Sequence, residues 1–228
     1  MRAETAAVLA EAAALGPFFE IVTDESEAVD PTWRALPERD TARLLGLTDL
    51  YAERLGTAER RVAASILFQG LASRLWSPTV TAAALGIVPD LSRLHWRWAP
   101  GAPIALWLAE PTGRPVHDPV EAAELIHHEV VERHLRPLRD AMRAFARLAD
   151  GLFWGNAASA LAGTLRAGSL RPGLAAPVRA LVDELLTREP LAGTGTFNQG
   201  GFVRRSCCLY YRVPPGGEMC GDCALLRR

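Results

Sequence analysis

The chain has 228 residues, 49% hydrophobic and 22% charged, a composition that excludes wholesale disorder and allows a buried core without disulfide staples. Its 25 basic residues, all arginine, stand against 26 acidic ones for a formal charge of -1, so a globally basic nucleic-acid binder is not expected. No uninterrupted apolar stretch is long enough for a membrane span, and Glu4 and Glu11 break what would be a signal peptide's apolar block; a cytoplasmic protein is expected.

In chain order, residues 2–15 have helical composition, and Gly16 to Pro37, with scattered acids and prolines, reads as an irregular entry. Helical periodicity runs from Thr41 to Leu55 and again from Ala58 to Leu75, where Ser77-Pro78 predicts a stop. Thr79 to Leu85 is a further short helix closed by Gly86. Leu94, Trp96 and Trp98 alternate with His95 and Arg97, and a second short run, Ile104 to Leu108, follows Pro100-Gly101, which predicts a hairpin. Val120 to Leu148 returns to helix, with a break at Pro137 after Arg136. Leu152 to Leu165 and Pro177 to Thr187 add two helices, Gly193 to Gly201 reads as a polar loop, and Phe202 to Arg212 as a strand. The expected fold is a mainly helical α+β protein: a body over residues 1–201 with one short β-hairpin, and a strand-turn motif over residues 202–228.

Several motifs fail on context. Gly193-Thr194-Gly195 begins like a dinucleotide loop, but Asn198 stands at the third glycine position and no helix follows. Neither a Walker A loop nor a G-x-S-x-G elbow is present. His127 and His134 share a helix face, but Glu124, Glu129, Glu132 and Arg133 surround them, which reads as a solvated face. Trp76, Trp96, Trp98, Trp107 and Trp154 are read as core.

The cysteines are the anomaly. All four lie at the C-terminal end: Cys207-Cys208, eleven intervening residues, then Cys220-Gly221-Asp222-Cys223. Three chemistries compete for such a cluster. Two disulfides conflict with a reducing compartment. A structural zinc site ordinarily presents two C-x2-C knuckles, and only Cys220 and Cys223 form one. A [2Fe-2S] unit takes four thiolates, two to each iron, and tolerates unlike ligand pairs. Adjacent cysteines in a regular strand point to opposite faces, so joint ligation needs a kink at Cys207-Cys208. Pro214, Pro215, Gly216 and Gly217 supply the turn that returns the chain.

The run Arg204-Arg205-Ser206-Cys207-Cys208-Leu209-Tyr210-Tyr211-Arg212, with Cys220-Gly221-Asp222-Cys223 behind it, resembles the FhuF-type ferric siderophore reductases. Stretches from Arg61 to Ser77 and from Trp154 to Ala160 are similar to parts of the same family. One departure is the spacing, eleven residues where the family motif has ten; it falls in the Pro/Gly turn, where an insertion changes little. The resemblance implies a [2Fe-2S] cluster on Cys207, Cys208, Cys220 and Cys223, passing single electrons to a ferric siderophore. An external donor such as a ferredoxin or a flavin-dependent reductase is implied as well. Arg204, Arg205, Arg212, Arg227 and Arg228 surround the motif; Arg204 and Arg205 are expected to tune the cluster, whose four thiolates leave it net negative. Arg204, Arg205, Trp154 and Asn156 are candidate chelate contacts. The alternative is a ferric-siderophore-binding protein whose four-cysteine metal site is structural.

Overall fold

The computed structural model describes residues 1–227, with side chains through residue 225. Its organising element is a long central helix, α3 (Arg60–Ala84). Apolar and small residues occupy all its faces, and Val62, Ala63, Ala64, Leu67, Phe68, Leu71, Leu75 and Trp76 are buried, as expected of a helix enclosed by neighbours. α1 (Arg2–Ala13), α2 (Thr41–Leu55), α6 (Asp150–Gly163) and α8 (Ala175–Leu185) pack around it. α6 is its closest neighbour: Phe68 and Phe153 meet edge-to-face with ring centroids 4.9 Å apart, and Ala157 and Ala158 are buried. Among the described residues no helix is long and apolar enough to cross a membrane.

Local chemistry sets the ends of α2. The Asp40 carboxylate accepts from the N–H groups of Ala42 and Arg43 at 2.9 and 3.2 Å, and Gly56 adopts the left-handed conformation just after Leu55. The predicted stop at Ser77-Pro78 does not occur, because α3 runs through Pro78 to Ala84 as one helix. An interior proline costs about 3 kcal/mol, but Trp76 and Val80 beside it are fully buried, and each large apolar side chain returns about 1.5–3 kcal/mol. Burial outweighs the lost hydrogen bond. Gly86, at φ +102°, closes the helix as expected.

The predicted hairpin forms β3 (Leu94–Arg97) and β4 (Ala105–Leu108), with Trp96 opposite Leu106. β1 (Arg34–Ala35), from the segment read as irregular, adds a third antiparallel strand in the order β1-β3-β4. Two shorter strands, β2 (Ile87–Pro89) and β5 (Gly113–Pro115), pair antiparallel elsewhere. Arg74 of α3 anchors this region. Its buried guanidinium donates to the carbonyls of Ile104 (2.6 Å), Pro17 (2.7 Å), Glu20 (2.6 Å) and Phe18, and burial lowers its pKa to about 10.

The helix expected over Val120 to Leu148 is three segments: α4 (Pro119–Ile126), a π-helical stretch (His127–Leu135) and α5 (Arg136–Arg143). The wider π turns let the chain reach Pro137 in the first turn of α5, where a missing N–H matters least. His134 departs from the expected solvated face: it is fully buried, its Nε2 3.2 Å from the Leu91 carbonyl. His127 Nε2 lies 2.7 Å from the Glu189 carbonyl.

After α6 come a short α7 (Arg166–Leu170) and α8, and then a second hairpin. The segment read as a polar loop supplies its first strand, β6 (Gly195–Asn198), antiparallel to β7 (Gly201–Arg204). Glycine hides this strand in the sequence yet makes the pairing possible. A Cβ on Gly195 would lie 2.3 Å from the Phe202 ring. β7 is also shorter than the strand expected over Phe202 to Arg212, ending at Arg204 before the first cysteine.

Candidate metal centre

β7 delivers the chain to the site and Asp222 stops it there. The Arg204 N–H donates to the Asp222 carbonyl at 3.2 Å, the Arg205 N–H to Thr194 at 2.7 Å. The backbone then bends through Cys207 and Cys208. Leu209 takes a left-handed conformation, φ 68°, a strained choice for a residue with a branched side chain. This is the kink that two adjacent cysteines require: the Leu209 N–H turns back to donate to Cys207 Sγ at 3.3 Å. Tyr210–Arg212 form a single 3-10 turn. Gly216 and Gly217, both at positive φ, then reverse the chain, and the Gly217 N–H closes on the Tyr211 carbonyl at 3.0 Å. Cys220 and Cys223 follow in a turn, with the Cys223 N–H donating to the Cys220 carbonyl at 3.1 Å.

All four thiols are free, Cys208 and Cys223 buried and Cys207 and Cys220 half-buried. Cys208 Sγ and Cys220 Sγ touch at 3.4 Å, and Cys207 lies within electrostatic reach of Cys208 and Cys223. The Leu225 N–H donates to Cys223 Sγ at 3.4 Å. The contact with Cys220 is the main cause that lowers the Cys208 pKa, aided by the Tyr210 N–H and the Arg204 charge. The same contact, with burial, pushes Cys220 upward, and burial raises Cys207.

The Arg204 side chain, 1% exposed, binds the motif to the body. Its Nε and Nη2 donate to the two Asp222 carboxylate oxygens at 2.9 and 2.8 Å, its Nη1 to Asn156 Oδ1 at 2.6 Å, and Nη2 also to Ser159 Oγ at 2.5 Å. Asn156 in turn donates to the carbonyl and hydroxyl oxygens of Ser65, both at 2.9 Å, and the Ser65 hydroxyl donates to the Cys208 carbonyl at 2.7 Å. A continuous polar chain therefore joins α3, α6 and the cysteine loop. Burial alone would lower the Arg204 pKa, but Asp222 and then the Cys208 and Cys220 charges raise it. Arg204 also pulls the Asp222 carboxyl below its ordinary value against the opposing effect of burial.

The loop lies directly on α6 at Gly155, where a Cβ would stand 2.0 Å from Ser206 Oγ. That hydroxyl, one residue before Cys207, is buried and has no hydrogen-bond partner among the described residues.

The candidate chelate contacts occupy unlike places. Arg205 is exposed. Trp154 is 5% exposed and lies under the guanidinium groups of Arg136 and Arg139, at 5.6 and 5.4 Å. Asn156 and Arg204 are buried in the polar chain described above, and Asn156 sits in mid-helix, where it caps nothing. Arg212 pairs with Glu59 at 2.8 Å, and Arg228 lies outside the described residues. Ser65, Gly155 and Ser159 were not singled out by sequence, because their roles arise from contacts between distant segments; Asp222 appeared only inside the C-x2-C motif.

Among the described residues no three of the His, Cys, Asp and Glu donors close on one point suited to a single ion. One sulfur pair, Cys208 and Cys220, touches. Four thiols on one short segment, two of them accepting from backbone N–H groups, with the buried Arg204 cation acting on Cys208 and Cys220, suit an iron–sulfur unit in donor type and charge. Among curated proteins no relative matches the chain. Residues 204–225 match the family model of the FhuF 2Fe-2S C-terminal domain, a match that indicates a [2Fe-2S] cluster as the cofactor of this segment.

Proposed function

We propose that the protein is a cytoplasmic ferric siderophore reductase, with residues 1–201 as body and 202–228 as cluster-binding motif, and that Cys207, Cys208, Cys220 and Cys223 hold the cluster. The observation that carries this reading is the matched segment itself, which holds all four cysteines and whose buried Arg204 acts on Cys208 and Cys220. When bound, the [2Fe-2S] group supplies one electron at a time, taken from an external ferredoxin or flavin-dependent reductase and passed to Fe(III), which becomes Fe(II). Hard oxygen chelators hold Fe(III) strongly and Fe(II) weakly, so this step releases iron with no bond broken in the chelator.

The chain's own residues do the rest. Arg204 stabilises negative charge on the thiolates, which favours the reduced state and raises the potential. The N–H groups of Leu209 and Leu225 act in the same direction at Cys207 and Cys223. Asn156, Ser159 and Ser65 hold Arg204 and the Cys208 backbone in place, and the exposed Arg205 is available to an anionic partner. The test is a reductase assay on anaerobically purified protein, with a ferric trihydroxamate chelate, a ferrous trap and dithionite. Trapped Fe(II) formed far faster than with dithionite alone supports the reading. Chelate binding without acceleration makes the protein a binder with a structural four-cysteine site.

A further inference from the structure

Cys208, Cys220 and Tyr210 border one side of a cavity of about 310 Å³, and Ile66, Gln69, Gly70 and Ser73 of α3 form its other side. The spacing of these four helix residues, i, i+3, i+4 and i+7, places them on a single stripe of α3. The stripe continues beyond the cysteines. Gln69 and Ser73 also line an adjoining cavity of about 520 Å³, and Ile66 and Gly70 line a further one of about 350 Å³. Cavities therefore flank the stripe on both sides, and the middle one, against the cysteine loop, is a groove at the lower end of the size range of small-molecule sites.

The lining has the polarity of a binding site. Neither the Ser73 nor the Tyr210 hydroxyl makes a hydrogen bond to another described residue, so both are available to a ligand. Gln69 donates its amide to Ser159 Oγ at 3.3 Å, the same oxygen that accepts from Arg204, which ties the groove wall to the polar chain behind the cysteines. Gly70 keeps the floor low. A Cβ there would meet only Tyr51 Oη within 4 Å, at 3.9 Å, so a side chain can be added at this position without a clash at its Cβ.

We propose that this groove seats the ferric chelate at the Cys208–Cys220 edge, with Gly70 setting the room available and Ser73 and Tyr210 donating to chelate oxygens. The proposal rests on the reductase reading and adds the acceptor's place. A chelate held there lies against two of the proposed ligand residues, the shortest route for an electron, and the hydroxyl donors meet oxygens that gain negative charge as Fe(III) becomes Fe(II).

The experiment uses the cluster-loaded protein, Gly70→Leu and Ser73→Ala. Binding is read with a gallium(III) trihydroxamate chelate, which is redox-inert, and turnover with its iron(III) counterpart. Gly70→Leu is expected to bind the gallium chelate about tenfold more weakly or worse and to raise KM in step, with cluster absorption and potential unchanged; Ser73→Ala moves both in the same direction by a smaller factor. Gallium affinity and KM within twofold of wild type in both variants overturn the groove assignment while leaving the reductase reading intact. A wild-type protein that carries its cluster and reduces no chelate overturns the reductase reading, and this proposal with it. Should Gly70→Leu fail to load its cluster, Ser73→Ala and Gly70→Ala decide the question by the same two readouts.

Discussion

Arg204 and Asp222 face each other in a two-pronged pair, 2.9 and 2.8 Å, that joins the last residue of β7 to the residue just before the final cysteine. The guanidinium is wholly enclosed and the carboxylate 19% exposed, so the cation in particular depends on its partners rather than on solvent. Removing one partner of such a buried pair leaves the other uncompensated, at a cost of about 3–5 kcal/mol, whereas replacing both with apolar groups is close to neutral. Arg204→Met is therefore expected to lose about that much stability, and Arg204→Met with Asp222→Leu to recover part of it, measured by denaturant unfolding, the remainder reflecting the buried Asn156 Oδ1 that still lacks its donor. In whatever Arg204→Met protein retains its cluster, the potential is expected to move in the negative direction. An unchanged potential would show that the Arg204 charge does not reach the thiolates.

Gly155 makes a prediction with a change of sign. Alanine in place of a mid-helix glycine ordinarily gains about 1 kcal/mol, but here the added Cβ would sit 2.0 Å from Ser206 Oγ. Overpacking of this kind costs about 1–3 kcal/mol, so Gly155→Ala is expected to destabilise the loop and reduce cluster loading while far-UV circular dichroism stays the same. Adding Ser206→Ala removes the clashing oxygen and a buried hydroxyl without a partner. The double variant should then be at least as stable as wild type by thermal unfolding; if it remains as weak as Gly155→Ala, the close approach of loop and helix is wrong.

His134 gives the native state a dependence on pH. Burial brings its pKa from the ordinary 6.5 down to about 4, so folding favours the neutral ring. The associated stability is fully present above about pH 6.5 and is lost as pH falls toward 4, where the unfolded chain takes up a proton that the native chain resists. The span corresponds to about 3 kcal/mol. Urea unfolding at pH 7 and at pH 4.5 should show most of this loss in the wild type and a clearly smaller one in His134→Gln. Equal losses would place the acid sensitivity elsewhere.

Much of this architecture was legible wherever local chemistry decides the outcome. Periodicity over Thr41 to Leu55 gave α2 its bounds, the alternation of Leu94 and Trp96 marked a real hairpin, and four crowded cysteines announced the segment that the family model matches. What was hidden depends on partners far along the chain. Pro78 looks like a helix stop until burial around Trp76 and Val80 is counted. The segment of β6, opened by Gly195, looks like a loop until Phe202 is placed over that glycine. His134 looks solvated until the π turns rotate it beneath Leu91. Arg204 was noticed for its nearness to the cysteines, but its bonds to Asn156 and Ser159 come from α6, nearly fifty residues earlier, with no periodic signal to reveal them.

The most direct test of the account is the inorganic content of oxygen-free protein, with electron paramagnetic resonance before and after one-electron reduction. The expected result is about two iron and about two acid-labile sulfide per chain, silent when oxidised and paramagnetic when reduced, with both lost in Cys223→Ser while the helical circular dichroism remains. One zinc per chain with no sulfide, or a Cys223→Ser protein that keeps its full iron and sulfide, would contradict it.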